Sequence, residues 1–420
     1  MSNLEIPERD KKRIGQLIRF YRGFTHRTQK DLIINVYGIK ICSRKTLVSI
    51  ESGRVIQLDK IYEELLLNLG LRYSFDHHIE EYEHAFQQLL RHCEYYDVKN
   101  IIKTACRIKA DLKPYKDYIF FHECYSYLQI ILQYYEKHRI PDKGTVEYIA
   151  GIIRILHTPL DDIVIDLLFK GCVRYELDYT AYYDYSHASN IINRMNHLLT
   201  LVYGNKLQSA FVYILTLEQE LTATKNTLRL LDLYNIKMTF YKKAEEQDFL
   251  AMSERLIAMM HDTSLNIPDI KKAQTYKNLS ICAYKLDILT IAESGIKKFL
   301  EYDDREQIPY IVILIDIYQK TGDYIAINGI TIYQKVRFYR TRYDVYYNYF
   351  LFKYKYAYSP ANLNTYIMKD ILEALDPTDS IFARIFYREL SDLVKVTKHY
   401  KDTTLFMDKL CQLFKVQSLD

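Results

Sequence analysis

The sequence predicts an all-α chain, and three observations carry the prediction. Glycine and proline are scarce: the 420 residues hold 12 Gly and 8 Pro, where these two types make up about 12% of an average chain. From residue 71 onward, apolar side chains recur at helical spacing almost without break. Breakers beyond that point, among them Pro114, Pro141 with Gly144, Pro159, Gly204, Pro268, Gly322, Pro360 and Pro377, are sparse. Sheet-rich folds need Gly, Asn-Gly or Pro at many tight turns, and collagen-like or flexible chains need far more of both, so these classes are excluded. A chain this long exceeds what one compact core normally holds, which implies two or more domains or a repeat array.

The first elements lie in a short stretch. Pro7 and Glu8 open a helix whose Ile14, Leu17, Ile18 and Tyr21 follow the i, i+3, i+4, i+7 spacing of a buried stripe, and Gly23 ends it. Thr28 is the N-cap of a second helix, with Asp31 completing a capping-box variant and Leu32, Ile33 and Val36 on its buried side. After a turn through Gly38, Ser43 caps a third helix that runs to about Ser52 and stops at Gly53. Its Leu47 and Ile50 point inward, while Arg44, Lys45 and Ser49 project outward. Asp59 caps a fourth helix with Ile61, Leu65, Leu66 and Leu69 on one face and Gly70 at its end.

Charge divides along the same line. The whole chain carries a net charge of only +4. Residues 9–54, however, hold twelve Lys/Arg against Asp10, Asp31 and Glu51, a surplus of nine. The remainder carries 45 basic and 50 acidic side chains. A basic module on a mildly acidic body is the electrostatic footprint of phosphate-backbone binding.

The run Ser43-Arg44-Lys45-Thr46-Leu47-Val48-Ser49-Ile50-Glu51-Ser52-Gly53-Arg54 resembles the recognition-helix signature of XRE-type, lambda-repressor-like helix-turn-helix regulators. Thr28-Gln29 with Leu32 matches that family's start of the second helix. One departure is visible: Gln29 to Ser43 spans 14 positions, longer than the family's usual spacing, with the additional residues within Tyr37–Cys42. The resemblance covers about residues 9–70. It implies double-stranded DNA as partner, with Arg44 or Lys45 meeting guanine O6 and N7 in the major groove. Gln29 would brace a phosphate or a neighbouring base, and Ser43, Thr46 and Ser49 would add hydroxyl contacts. Thr28, at the same helix start, is a further DNA-contact candidate, and Arg22, Arg27 and Arg54 are placed for backbone contacts.

The expected organisation is therefore a DNA-binding domain over 1–70 and a helical repeat domain over 71–420, with 71–90 as a linker helix. In the body, short polar turns recur before amphipathic runs: Glu246-Gln247-Asp248-Phe249, Lys285-Leu286-Asp287-Ile288 and Thr321-Gly322-Asp323-Tyr324. Their aspartates lie 39 and 36 residues apart, and positions +1 and +4 from each Asp are apolar. This is a degenerate helical-hairpin repeat somewhat longer than the tetratricopeptide period, and it predicts an α-solenoid. Such a solenoid offers a groove for a peptide, where Asn amides pair with peptide backbone and Arg with a carboxylate. Asn193, Asn226, Arg229, Asn278 and Asn348 are the candidates.

The tyrosine clusters Tyr175/Tyr179/Tyr182/Tyr183 and Tyr339/Tyr343/Tyr346/Tyr347 with Phe350 read as inter-helix packing. His77, Glu81 and His84 could share one helix face, but their acidic surroundings read as a polar linker, and no metal or cofactor is expected. No phosphate-loop, dinucleotide, zinc-protease or nucleophile-elbow motif occurs, so no enzyme is expected. The seven cysteines are scattered without a C-x-x-C pair, Met1–Arg13 leads into no apolar stretch, and apolar windows such as Tyr310–Tyr318 are short. These features predict a cytoplasmic protein without membrane contact.

Together, an XRE-type head on a tetratricopeptide-like body resembles the RRNPP family of peptide-sensing regulators. That resemblance implies a homodimer whose body binds a short signalling peptide that modulates DNA binding. The alternative is a helical-repeat scaffold that sequesters a signalling protein.

Overall fold

The computed structural model describes residues 5–153, 155–302, 307–332, 335–337 and 341–415. These are helical with short connections, and no extended strand occurs among them. No helix among them is long and apolar enough to cross a membrane. The chain divides into two compact units, residues 1–233 and 234–420.

The first unit opens with α1 (Glu8–Phe24), α2 (Gln29–Leu32), α3 (Arg44–Glu51) and α4 (Asp59–Asn68). Two of the expected caps form as read. Thr28 accepts from the Asp31 amide while Asp31 accepts from the Thr28 amide, and the Ser43 hydroxyl accepts from the Thr46 amide at 3.0 Å. Two other expectations fail. Val36 is not on a buried helix side: α2 stops at Leu32, and Val36 stands in a solvent-exposed turn. Asp59 does not cap α4 with its side chain; its carboxylate instead accepts from the Ile6 amide at 2.7 Å and pairs with Lys11 Nζ at 2.6 Å.

The first unit continues through α5 (Glu83–Glu94), α6 (Val98–Leu112), α7 (Phe121–Tyr135), α8 (Lys143–Ile152), α9 (Pro159–Arg174), α10 (Ile191–Tyr203) and α11 (Leu207–Ala223), and α12 (Thr227–Lys237) runs past its end. Chain neighbours α5–α6, α6–α7, α8–α9 and α10–α11 pack as pairs, and α9 also covers α5 and α7. Residues 71–90 are not one linker helix. Arg72 pairs through its backbone with Asp117 and Ile119, a 3-10 turn spans Ile79–Tyr82, and α5 is packed into the body. His77 precedes the helical residues and lies 3.2 Å from the Tyr115 hydroxyl, so it shares no helix face with Glu81 and His84.

Residues 1–70 do not stand apart from this body. The Arg13 guanidinium is buried, donates to the carbonyls of Ile155 and Leu156 at 3.2 and 2.5 Å, and lies 4.3 Å from the Phe120 ring centre. Those carbonyls follow the end of α8, where a cation is favoured. Phe20 packs directly on Gly151 of α8, where any Cβ would overlap its ring. The Tyr21 hydroxyl donates to Glu123, whose other oxygen accepts from the Phe120 amide. Burial raises both the Glu123 carboxyl and the Tyr21 phenol above their ordinary ranges.

The second unit holds α13 (Glu246–His261), α14 (Asp269–Lys285), α15 (Leu289–Tyr302), α16 (Ile308–Thr321), α17 (Tyr324–Thr331), α18 (Arg342–Tyr354), α19 (Pro360–Tyr366), α20 (Leu372–Ala374), α21 (Ser380–Thr397) and α22 (Lys401–Lys415). Each of α13 to α18 packs on the next, and α21 packs on α19 and α22. Two of the three polar turns join helices: Asp287 lies between α14 and α15, and Asp323 caps α17 by accepting from the Ala326 amide at 3.0 Å. The third, Glu246–Phe249, is the first turn of α13 itself. Tyr346, Tyr347 and Phe350 are buried, and Tyr346 donates to Asp379 at 2.8 Å; Tyr339 lies outside the described residues. Of the cysteines, Cys42, Cys93, Cys124, Cys172 and Cys282 are buried, while Cys106 and Cys411 are exposed.

Two stability predictions follow from the first unit. Tyr21→Phe strands a buried Glu123 oxygen and should cost about 1–3 kcal/mol in chemical denaturation. Burial also lifts the Asp161 carboxyl to about 8. A group raised on folding stabilises fully below its unfolded pKa, and that contribution is lost as pH rises through the folded value. The Asp161→Asn variant should therefore lose less thermal stability than the native chain between about pH 4 and 8; parallel curves would contradict the assignment.

Candidate nucleic-acid interface

The placement of α3 begins with α1. Leu47 and Ile50 are fully buried, as are Ile14, Leu17 and Ile18 of α1, the helix against which α3 packs. The two backbones approach so closely that a Cβ on Gly15 would lie 2.1 Å from the Ile50 carbonyl oxygen. Only glycine allows that approach without moving α3. The polar side of α3 is thereby turned outward: Ser43, Arg44 and Lys45 are exposed, and Thr46 and Ser49 are half-buried.

A chain of side-chain hydrogen bonds then sets Arg44. Glu51, buried at the end of α3, accepts from Arg22 Nε at 2.5 Å and Arg22 Nη2 at 3.1 Å. Its Oε2 also accepts from Gln29 Nε2 at 3.1 Å. The Gln29 side-chain oxygen, Oε1, in turn accepts from Arg44 Nε at 2.8 Å. The bond to Glu51 raises the Arg22 guanidinium above its ordinary pKa, with burial opposing. Arg22, Thr28, Gln29, Lys30, Ile33 and Arg44 line one groove where the starts of α2 and α3 meet. Its cations and amide can hold a phosphate, and the outer edge of Arg44 keeps donors free for a second acceptor.

The remaining DNA candidates take other places. Ser43 and Thr46 hydroxyls lie 2.8 Å apart at the N-cap, so part of their capacity is used locally. Arg54 is exposed just beyond the far end of α3. Three of the twelve N-terminal cations are drawn into the fold, Lys11 by Asp59, Arg13 by the body and Arg22 by Glu51, and Arg27, though exposed, donates Nη1 to the Asn68 carbonyl at 2.6 Å. The other nine (Arg9, Lys12, Arg19, Arg27, Lys30, Lys40, Arg44, Lys45 and Arg54) are exposed. Lys30, in the groove, was legible only as charge.

Of the five peptide candidates, three lie in the first unit and two in the second. In the first unit, Asn193 Nδ2 donates to the Asp162 carbonyl at 2.8 Å, and Asn226 Nδ2 to the Glu94 carbonyl at 3.0 Å. Arg229 donates to the Glu94 and Cys93 carbonyls at 3.1 and 2.7 Å, closing the end of α5. In the second unit, Asn348 binds both the amide and the carbonyl of Arg337 at 2.8 Å. These four are buried, and their amide or guanidinium donors serve the protein's own carbonyls. Asn278 is half-buried on α14. Among the described residues, no group of three or more His, Cys, Asp or Glu side chains could hold a metal ion.

Comparison with known proteins adds nothing to the geometry: no family model, no curated protein and no solved structure matches the chain.

Gly15→Ala should push α3 from α1 and cost about 1–3 kcal/mol in denaturation. Unchanged stability would show that the close approach is not a constraint.

Proposed function

We propose that this protein is a sequence-specific DNA-binding transcription regulator. In this reading residues 28–54 form a helix-turn-helix of XRE type, and the helical body is a tetratricopeptide-like solenoid. The observation that carries the reading is Arg44: exposed at the first turn of α3 and oriented by Gln29, which Glu51 holds in turn. A guanidinium fixed at one edge presents its remaining donors in the fork that matches guanine O6 and N7. Lys45 supplies a second cation one residue on, and Lys30, Arg27 and Arg54 serve phosphates. The net surplus of positive charge over residues 9–54 supports association with a polyanion.

The same reading gives the body a signalling-peptide ligand and the protein a two-fold dimer, as the resemblance to RRNPP regulators implies. Its peptide contacts would fall on residues other than Asn193, Asn226, Arg229 and Asn348, whose donors already serve the fold. A peptide alters DNA binding only through different affinities for two states of the protein.

Selection of bound duplexes from a random pool tests the DNA half. The native chain should enrich a two-fold-related site, and Arg44→Ala should cost about 1–3 kcal/mol there and relax preference at one position. Failure to enrich any sequence would contradict the proposal. Mass spectrometry of the protein purified from its native cells, with DNA affinity measured before and after co-purified peptide is removed, tests the other half. Equal affinity in both states would contradict peptide control.

A further inference from the structure

The additional residues between α2 and α3 fold into a defined turn. Ile34 and Lys40 form an antiparallel bridge, and the Ile41 amide donates to the Ile33 carbonyl at 2.8 Å. The Asn35 amide donates to the Ile39 carbonyl at 2.9 Å. Asn35 Oδ1 accepts from the amides of Tyr37 and Ile39, both at 3.0 Å. Gly38, at φ +76°, supplies the left-handed residue the reversal needs. Asn68 of α4 anchors the base, its Nδ2 donating to the carbonyls of Leu32 and Ile34 at 2.9 Å.

A turn so fully bonded is rigid, yet its side chains are the reverse of what water selects. Val36 is 82% exposed, Tyr37 84% and Ile39 63%. Lone exposed apolar residues need no explanation, but three within four positions on a pre-formed tip do. The cations around them indicate the partner. Exposed Lys40 sits at the base of the turn, Arg44 and Lys45 follow it, and Lys30 precedes it on α2. An apolar tip flanked along the chain by exposed cations complements a polyanion that also offers apolar surface, which in duplex DNA means deoxyribose and thymine methyl groups.

We propose that the 34–41 turn is a second DNA contact, in which Tyr37, with Val36 and Ile39, packs on sugar or thymine methyl beside the groove read by α3. This rests on the DNA-binding reading and adds to it an apolar contact outside the resembled motif. Such a contact releases no counterions, so it changes affinity without changing the salt slope, whereas each lost phosphate contact lowers the slope by about one.

The test uses the full chain and the duplex that it enriches. Dissociation constants are measured over a range of salt for the native protein, Val36→Ser with Tyr37→Ser, Tyr37→Phe, and Lys30→Ala as a cationic control, with sedimentation of each. The double serine variant should bind about tenfold more weakly at every salt concentration, with the native slope and native oligomeric state. Tyr37→Phe, which keeps the ring, should retain most of the affinity, and Lys30→Ala should lower the slope. Native affinity in the double serine variant, while Lys30→Ala still weakens binding, would overturn the turn contact and leave the DNA reading intact. A changed oligomeric state in that variant would identify the tip as a protein–protein surface and overturn it. A native chain that enriches no duplex and binds none would overturn both.

Discussion

A buried carboxylate has to be partnered, and the partners of Glu51 arrange the face around it. Glu51 ends α3 at 6% exposure, and three donors from α1 and α2 converge on its two oxygens. Removing one partner of such a pair typically costs about 3–5 kcal/mol, because the remaining charge stays out of water. Arg22 and Gln29 are therefore held, and Gln29 passes its position to Arg44. The long α1 and the short α2 and α3 gain a common polar hinge pin beside the apolar contact of α1 with α3. Gly15 sets the other constraint, keeping the α3 backbone against α1.

The second consequence of this arrangement lies on the opposite side of α1. Arg13, Phe20 and Tyr21 bind the helix to α7, α8 and the segment after α8, so α1 is shared between the basic N-terminal residues and the body of the first unit. Any rearrangement of the body that reached these contacts would have to move α1, and with it Arg22 and Glu51. A route by which the body could act on Arg44 is thus built from packed and bonded groups rather than from a flexible tether.

How far the sequence revealed this depended on the range of each interaction. Local features were legible. Thr28 with Asp31 and Ser43 with Thr46 bond within three residues, and Asp287 and Asp323 mark real helix junctions. Features decided at a distance were not. Periodicity carries α2 through Val36, but the helix stops at Leu32, and Asn68, 36 and 34 residues on, takes the Leu32 and Ile34 carbonyls. Lys11, Arg13 and Arg22 count as free charges in a composition and are consumed by partners up to 143 residues away. Asn193, Asn226 and Asn348 have the residue type that binds a peptide, yet their donors meet backbone carbonyls of this chain. A single sequence does not distinguish an amide that waits for a ligand from one that closes its own fold.

The central claim is that Arg44 reads DNA from a position that Gln29 sets. A double-mutant cycle of Gln29→Ala and Arg44→Ala, measured as affinity for the enriched duplex, tests it most directly. The account predicts that the loss caused by Gln29→Ala largely disappears once Arg44 is alanine, a coupling of about 0.5–3 kcal/mol. Additive losses, or no loss from either substitution, would contradict it.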